Sequence, residues 1–188
     1  MNEIQINGET FTLLLSEEQI QQRIRELGKI ISEDYRGTIP IFVGVLNGAA
    51  IFLSDLIRCV NIKLEIDFLK LSSYGEEKFS SGSVKMLKDL DVHLGGRDII
   101  IVEDIVDTGL SVNFIHKLIE PRNPSSVRIA SLLWKKRKYN HNKAELKIDY
   151  VGFEIPDEFV IGYGLDYTQQ YRNLRAIYRL SSQNENNN

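Results

Sequence analysis

Apolar residues recur at helical spacing near the start of the chain, where Ile20, Ile24, Leu27 and Ile31 follow Ser16-Glu17-Glu18-Gln19. Those four residues have the form of a capping box, so the pattern predicts an amphipathic helix over about 16–34. Residues 40–46 are a continuous apolar run bounded by Pro40 and by Asn47-Gly48. Such a run fits a strand buried on both faces, as in a parallel sheet. Ala49 to Val60 is apolar nearly all round and reads as a buried helix, and residues 63–71 alternate as a further strand. Ser72 to Ser83 is rich in Gly, Ser and Glu without periodicity, which predicts a mobile loop, and a short strand near Val84–Leu87 follows. The strongest strand pattern is 98–102, ending in Glu103-Asp104. Leu110, Val112, Ile115, Leu118 and Ile119 then mark a helix that stops before Pro121. Ser126–Leu133, Tyr150–Ile155 and Phe159–Gly164 complete the β-rich runs.

Strands alternating with helices imply an α/β protein with a mainly parallel central sheet flanked by helices. Ligands of such sheets bind outside the carboxyl ends of the strands. The turns after Leu46 and after Val102 are therefore the places to look for chemistry. At 188 residues the chain fits one domain. The boundaries read as 1–180, with a polar tail over 181–188 that has nothing to bury and is expected to be disordered.

Composition narrows the partners. A net charge of −3 speaks against a nucleic-acid ligand, which would need a cationic surface. It leaves room for a small anionic substrate met by a local cluster of donors. The single Cys59 permits neither a disulfide framework nor a cysteine zinc site. The first residues are polar and acidic where a secretory signal would be basic and then apolar, and no apolar run reaches a membrane span. A cytoplasmic protein without membrane partners is expected.

The chemistry concentrates in Ile99-Ile100-Ile101-Val102-Glu103-Asp104-Ile105-Val106-Asp107-Thr108-Gly109-Leu110-Ser111. A buried strand here delivers two carboxylates to the ligand edge, and a third, Asp107, opens a turn into a helix. Backbone N–H groups at a helix N-terminus bind anions, the Thr108 and Ser111 hydroxyls add donors, and Gly109 allows close backbone approach. Asp-Thr-Gly alone would more often be a simple helix cap. The thirteen-residue string is far more specific, and it lacks the Gly-x4-Gly-Lys pattern of an ATP-type phosphate loop.

This string resembles the signature of the type I phosphoribosyltransferases, whose fold adds a small hood from the terminal segments to the central sheet. The resemblance covers most of the chain and is greatest to the hypoxanthine-guanine members. Val45-Leu46-Asn47-Gly48, Ser73-Tyr74 and the long stretch from Asp149 to Arg172 carry it further. It implies transfer of a phosphoribosyl group from 5-phosphoribosyl 1-pyrophosphate to a 6-oxopurine base with Mg²⁺, in a homodimer or homotetramer. Glu103 and Asp104 would lie by the ribose hydroxyls, and Asp107, Thr108, Gly109, Leu110 and Ser111 would cradle the 5-phosphate. Lys135 would donate to the purine O6, Phe159 would stack on the base, and Val160 and Asp166 would meet its edge through carbonyls. Asn47, Gly48, Ser73, Tyr74 and Arg172 would meet pyrophosphate, with Ser72–Ser83 closing as a lid. Glu103, Asp104 and Asp166 would serve the metal, and Asp107 is the candidate general base for the N7 proton. Lys135 would select an oxygen at C6, since an amino group there would set donor against donor.

Each residue taken singly has a plainer reading. Lys135-Lys136-Arg137-Lys138 resembles a solvated basic face, Phe159 a core residue, and Arg172 a surface ion pair; their occurrence together with the 99–111 string overturns those readings. Asn47 departs from the family, which commonly has Lys or Arg before Gly48, so a side-chain cation for pyrophosphate is missing there. A sensor of the same fold without catalysis would be expected to have lost Lys135 or a signature acid, and both are present. An enzyme using a pyrimidine base is opposed by the 149–172 stretch.

Overall fold

The computed structural model describes residues 2–73, 84–135 and 147–181. Its elements in chain order are β1 (Glu3–Ile6), β2 (Glu9–Leu15), α1 (Glu17–Asp34), β3 (Ile41–Leu46), α2 (Ala50–Cys59), β4 (Glu65–Ser73), β5 (Val84–Lys88), β6 (Asp98–Val106), α3 (Leu110–Ile119), β7 (Ser126–Lys135), β8 (Tyr150–Ile155), β9 (Val160–Ile161) and β10 (Ile177–Leu180). The capping box forms as read: the Gln19 N–H donates to Ser16 Oγ at 3.3 Å, and the Ser16 N–H donates to Gln19 Oε1 at 2.9 Å. Two orphan donors at the start of α1 are thereby satisfied.

Six strands form the main sheet in the order β5-β4-β3-β6-β7-β8. All neighbours are parallel except β4 and β5, which pair antiparallel. The continuous apolar run of β6 is buried on both faces. Ile100 and Val102 pack with α1 and α2, and Ile99 and Ile101 pack with α3, all without solvent exposure. That is why the strand carries no polar alternation until its carboxyl end.

Four further strands, in the order β1-β2-β10-β9, form a second, smaller sheet over that end, the hood expected of the fold. The apolar pattern read from the sequence assigned no element to β1, β2 or β10. Its signal was nevertheless present: Asn7 and Gly8 take φ of 51° and 84° at the tip of the β1–β2 hairpin. Positive φ at both central residues is what a two-residue hairpin turn needs, and Asn-Gly supplies it.

Several features differ from the sequence reading. Strand β6 does not end at Val102 but runs on to Val106, so the acidic pair lies inside the strand. Helix α2 buries one face only, through Phe52, Leu53 and Leu56, while Ser54 and Arg58 face solvent. The expected strand 159–164 shrinks to Val160–Ile161, because Gly162, Tyr163 and Gly164 all take positive φ. The mobile loop expected over 72–83 lies, beyond Ser73, outside the described residues, as do the polar tail beyond Ser181 and Lys136-Arg137-Lys138. Among the described residues no helix is long and apolar enough to cross a membrane.

Candidate active site

From β3 the chain moves through α2 to β4 on one side, and from β6 through α3 to β7 on the other. Between the carboxyl ends of β3 and β6 lies the crevice where such sheets bind ligands. Both turns singled out in the sequence, Asn47-Gly48 and Asp107-Thr108-Gly109, open onto it. Gly48 is needed by contact: a Cβ there would collide with the Asp104 carboxylate, and a Cβ on Gly164 would collide with the Gly48 carbonyl. The hood turn, the β3 turn and the β6 acid thus stack directly on one another.

Adjacent strand residues point to opposite faces, so β6 sends its two acids apart. Glu103 lines a cavity of about 90 Å³ walled by Ile105 to Val112. Asp104 lines a separate cleft of about 280 Å³ with Ile105, Asp107, Lys135, Phe159, Val160, Leu165 and Asp166. Burial pushes the Glu103 carboxyl well above the usual carboxylate range, with the Asp104 charge adding to it. Burial also raises Asp104 to about 6, against the lowering effect of backbone N–H donors at 104 and 105 and of Arg172. Glu103 Oε1 has no hydrogen-bond partner among the described residues.

The small cavity has the form of an anion site. Gly109, at φ 74°, is the residue before α3, and the Leu110 N–H donates weakly to Thr108 Oγ1 at 3.4 Å. Gly109, Leu110, Ser111 and Val112 line the cavity at the start of the helix, where N–H groups and the macrodipole favour negative charge. Asp107 lines both this cavity and the larger cleft.

In the cleft, the Lys135 ammonium at the end of β7 is largely buried and sits 3.5 Å from Asp107 Oδ2 and 3.3 Å from Asp157 Oδ1. Asp157 escaped the sequence reading, although its place in the 149–172 stretch could have suggested it. Phe159 is 46% exposed, unusual for a phenyl ring beside a cleft, whereas Val160 is buried. Arg172 donates to the Gly164 carbonyl at 2.7 Å and pairs with Asp166 Oδ1 at 2.6 Å. The expected pyrophosphate ligand is therefore held by the hood in this conformation. Asn47 is exposed at the mouth of the β3 turn, preceded by a cis peptide from Leu46. Ser73 ends β4, and Tyr74 lies outside the described residues.

The expected three-carboxylate metal set does not assemble. Among the described residues no three of His, Cys, Asp or Glu converge on one point, because strand alternation turns Glu103 away from Asp104 and Asp166. Asp104 and Asp166 do share the cleft, and the Asp166 charge adds to the rise of the Asp104 carboxyl. A pair of like charges in a sheltered cleft suits a hard cation that keeps water and substrate oxygens in its remaining positions, as Mg²⁺ does.

A profile of the phosphoribosyl transferase domain matches residues 12–168. Hypoxanthine-guanine phosphoribosyltransferase of Bacillus subtilis (strain 168) is 48% identical over 165 residues, covering 88% of this chain and 90% of that protein. A hypoxanthine phosphoribosyltransferase crystal structure from Staphylococcus aureus superposes with a TM-score of 0.82 at 44% identity, covering 90% of each chain. A hypoxanthine-guanine phosphoribosyltransferase from Bacillus anthracis, with a HEPES molecule in its active site, gives a TM-score of 0.83 at 40% identity, covering 90% of this chain and 98% of that one.

Proposed function

The chain belongs to the phosphoribosyl transferase family, and from that premise we propose that it is a purine-salvage enzyme. It transfers the 5-phosphoribosyl group of 5-phosphoribosyl 1-pyrophosphate to hypoxanthine, and to guanine, giving IMP or GMP and pyrophosphate. The observation that carries this reading is the position of Asp107, which lines both the phosphate-type cavity and the cleft holding Lys135 and Phe159. A base in the cleft and a 5-phosphate in the cavity then leave the ribose between them, with its C1 toward the base.

The reaction forms a bond from the purine N9 to C1 and breaks the bond from C1 to the pyrophosphate oxygen, with positive charge developing on the sugar. Lys135 donates to the purine O6 and so draws charge from the ring, while Asp107 accepts the N7 proton. Phe159 stacks on the base, and the carbonyls of Val160 and Asp166 accept from its edge. The turn Asp107 to Ser111 holds the 5-phosphate, with Glu103 and Asp104 on either side of the ribose. Asn47, Gly48, Ser73, Tyr74 and Arg172 serve the pyrophosphate, Arg172 by exchanging its Asp166 partner. Asp104 and Asp166 would hold Mg²⁺, which supplies neutralisation of the leaving pyrophosphate charge. The enzyme works in the cytoplasm as a homodimer or homotetramer, with residues 1–180 as one domain.

Radiolabelled bases offered with the activated sugar and Mg²⁺ test this reading. Hypoxanthine and guanine are converted to nucleoside monophosphates with release of one pyrophosphate each, and adenine and orotate are not. Conversion of orotate, or none of the four, would refute the assignment.

A further inference from the structure

Phe159 presents an unusual combination of exposure and fixation. Its ring is nearly half open to solvent, yet it touches two other aromatic rings. Phe11 of β2, fully buried, lies 6.3 Å away with planes tilted by 58°. Tyr167 meets it edge to face, 5.6 Å between centroids and 75° between planes. Phe11 and Tyr167 also touch one another at 6.0 Å. The backbone at 159 is held separately, since the Leu180 N–H donates to the Phe159 carbonyl at 2.9 Å.

Tyr167 is itself tied down. Its hydroxyl donates to Glu9 Oε2 at 2.9 Å, and the accepting carboxylate pushes the phenol up from its ordinary range. Glu9 opens β2, next to the Asn7-Gly8 turn. Residues at positions 9, 11, 159 and 167 therefore meet in one cluster, in which only the Phe159 ring is strongly exposed. An edge-to-face contact constrains ring orientation as well as position. A stacking surface whose plane is set in advance loses less entropy when a ligand lands on it.

We infer that Tyr167 is a positioning residue for the purine base, acting through Phe159 and fixed in its turn by Glu9. The inference rests on the reading that Phe159 carries the base. By this account the amino-terminal hairpin, remote in sequence from every signature residue, sets the affinity for the base and leaves the sugar pyrophosphate site alone.

Steady-state kinetics with hypoxanthine and the activated sugar varied separately test it, with thermal melts alongside. One aromatic pair of this kind is worth roughly 0.5–1.5 kcal/mol, about two- to twelvefold. Tyr167→Leu should therefore raise the hypoxanthine KM by about three- to tenfold, while the KM for the activated sugar stays within about twofold. Tyr167→Phe keeps the ring and loses the bond to Glu9, so it should shift the hypoxanthine KM by about twofold in the same selective manner. Glu9→Gln keeps an acceptor and should restore near-normal values. Equal rises in both KM values would make Tyr167 a general structural residue and overturn the inference, as would an unchanged hypoxanthine KM in folded Tyr167→Leu. Should Tyr167→Leu fail to fold, Tyr167→Phe decides, and a wild-type hypoxanthine KM there overturns the role of the Glu9 bond. A wild-type chain inactive on hypoxanthine would instead sink the functional reading itself.

Discussion

Asp104 shows what the site costs the fold. Its carboxyl is raised to about 6 by burial, from an ordinary value of 3.8. Well below pH 4 the folded and unfolded chains both hold the proton. As pH rises toward 6 the unfolded chain releases it first, so this group's contribution to stability is lost as pH climbs. We predict that Asp104→Asn, without metal, is more stable than wild type at pH 7.5, by on the order of 1–3 kcal/mol. That advantage should largely vanish near pH 4; an equal advantage at both values would remove Asp104 ionisation as its cause. Asp107→Asn tests the general base: kcat should fall at least about tenfold with the melting temperature preserved. Near-normal turnover by a folded Asp107→Asn protein would end that role. At this scale the 99–111 string stood out because its residue types are rare in combination, whereas Lys135 was singled out only through the family resemblance. Asp157 and the Glu9–Tyr167 bond were not legible, since each depends on which side chains the folded chain brings together across long separations.

At the scale of elements, the parallel strands and three helices could be read because burial on one or both faces imposes a period on the sequence. Of the hood only β9 was read that way; β1, β2 and β10, from the two ends of the chain, were not. Two of its turns form a physical contrast. Asn7-Gly8 has the residues that positive φ favours, whereas Thr168 and Gln169 take φ of 51° and 65° between Tyr167 and Gln170, which exchange backbone hydrogen bonds at 3.1 Å. A β-branched residue in left-handed backbone is strained by about 1–2 kcal/mol. This hairpin is also the segment that carries Tyr167 and sets Asp166 opposite Arg172. Thr168→Asn should relieve part of the strain and stabilise the protein by about 0.5–1 kcal/mol, a rise of roughly 1–4 °C in Tm. A lower Tm would mean that the Thr168 hydroxyl bond to the Tyr167 carbonyl, at 2.7 Å, outweighs the strain.

At the scale of the molecule, the hood and the main sheet are joined where the chemistry is placed. Tyr163 Oη donates to Asp55 of α2 at 2.5 Å, and Gln21 of α1 donates to the same carboxylate at 2.7 Å. The next residue, Gly164, rests on Gly48, and Gly48 rests on Asp104. Elements distant in sequence are thereby locked around one crevice, which periodicity could locate only as the carboxyl edge of a parallel sheet. The central claim is that the cleft between hood and sheet reads an oxygen at the purine C6 through Lys135. Its most direct test is the ratio of kcat/KM for hypoxanthine to that for adenine, measured in wild type and in Lys135→Ala. A site built to donate to that oxygen should favour hypoxanthine by at least about a hundredfold, and Lys135→Ala should lose most of that preference through the hypoxanthine value. An undiminished preference in a folded Lys135→Ala protein would contradict the account.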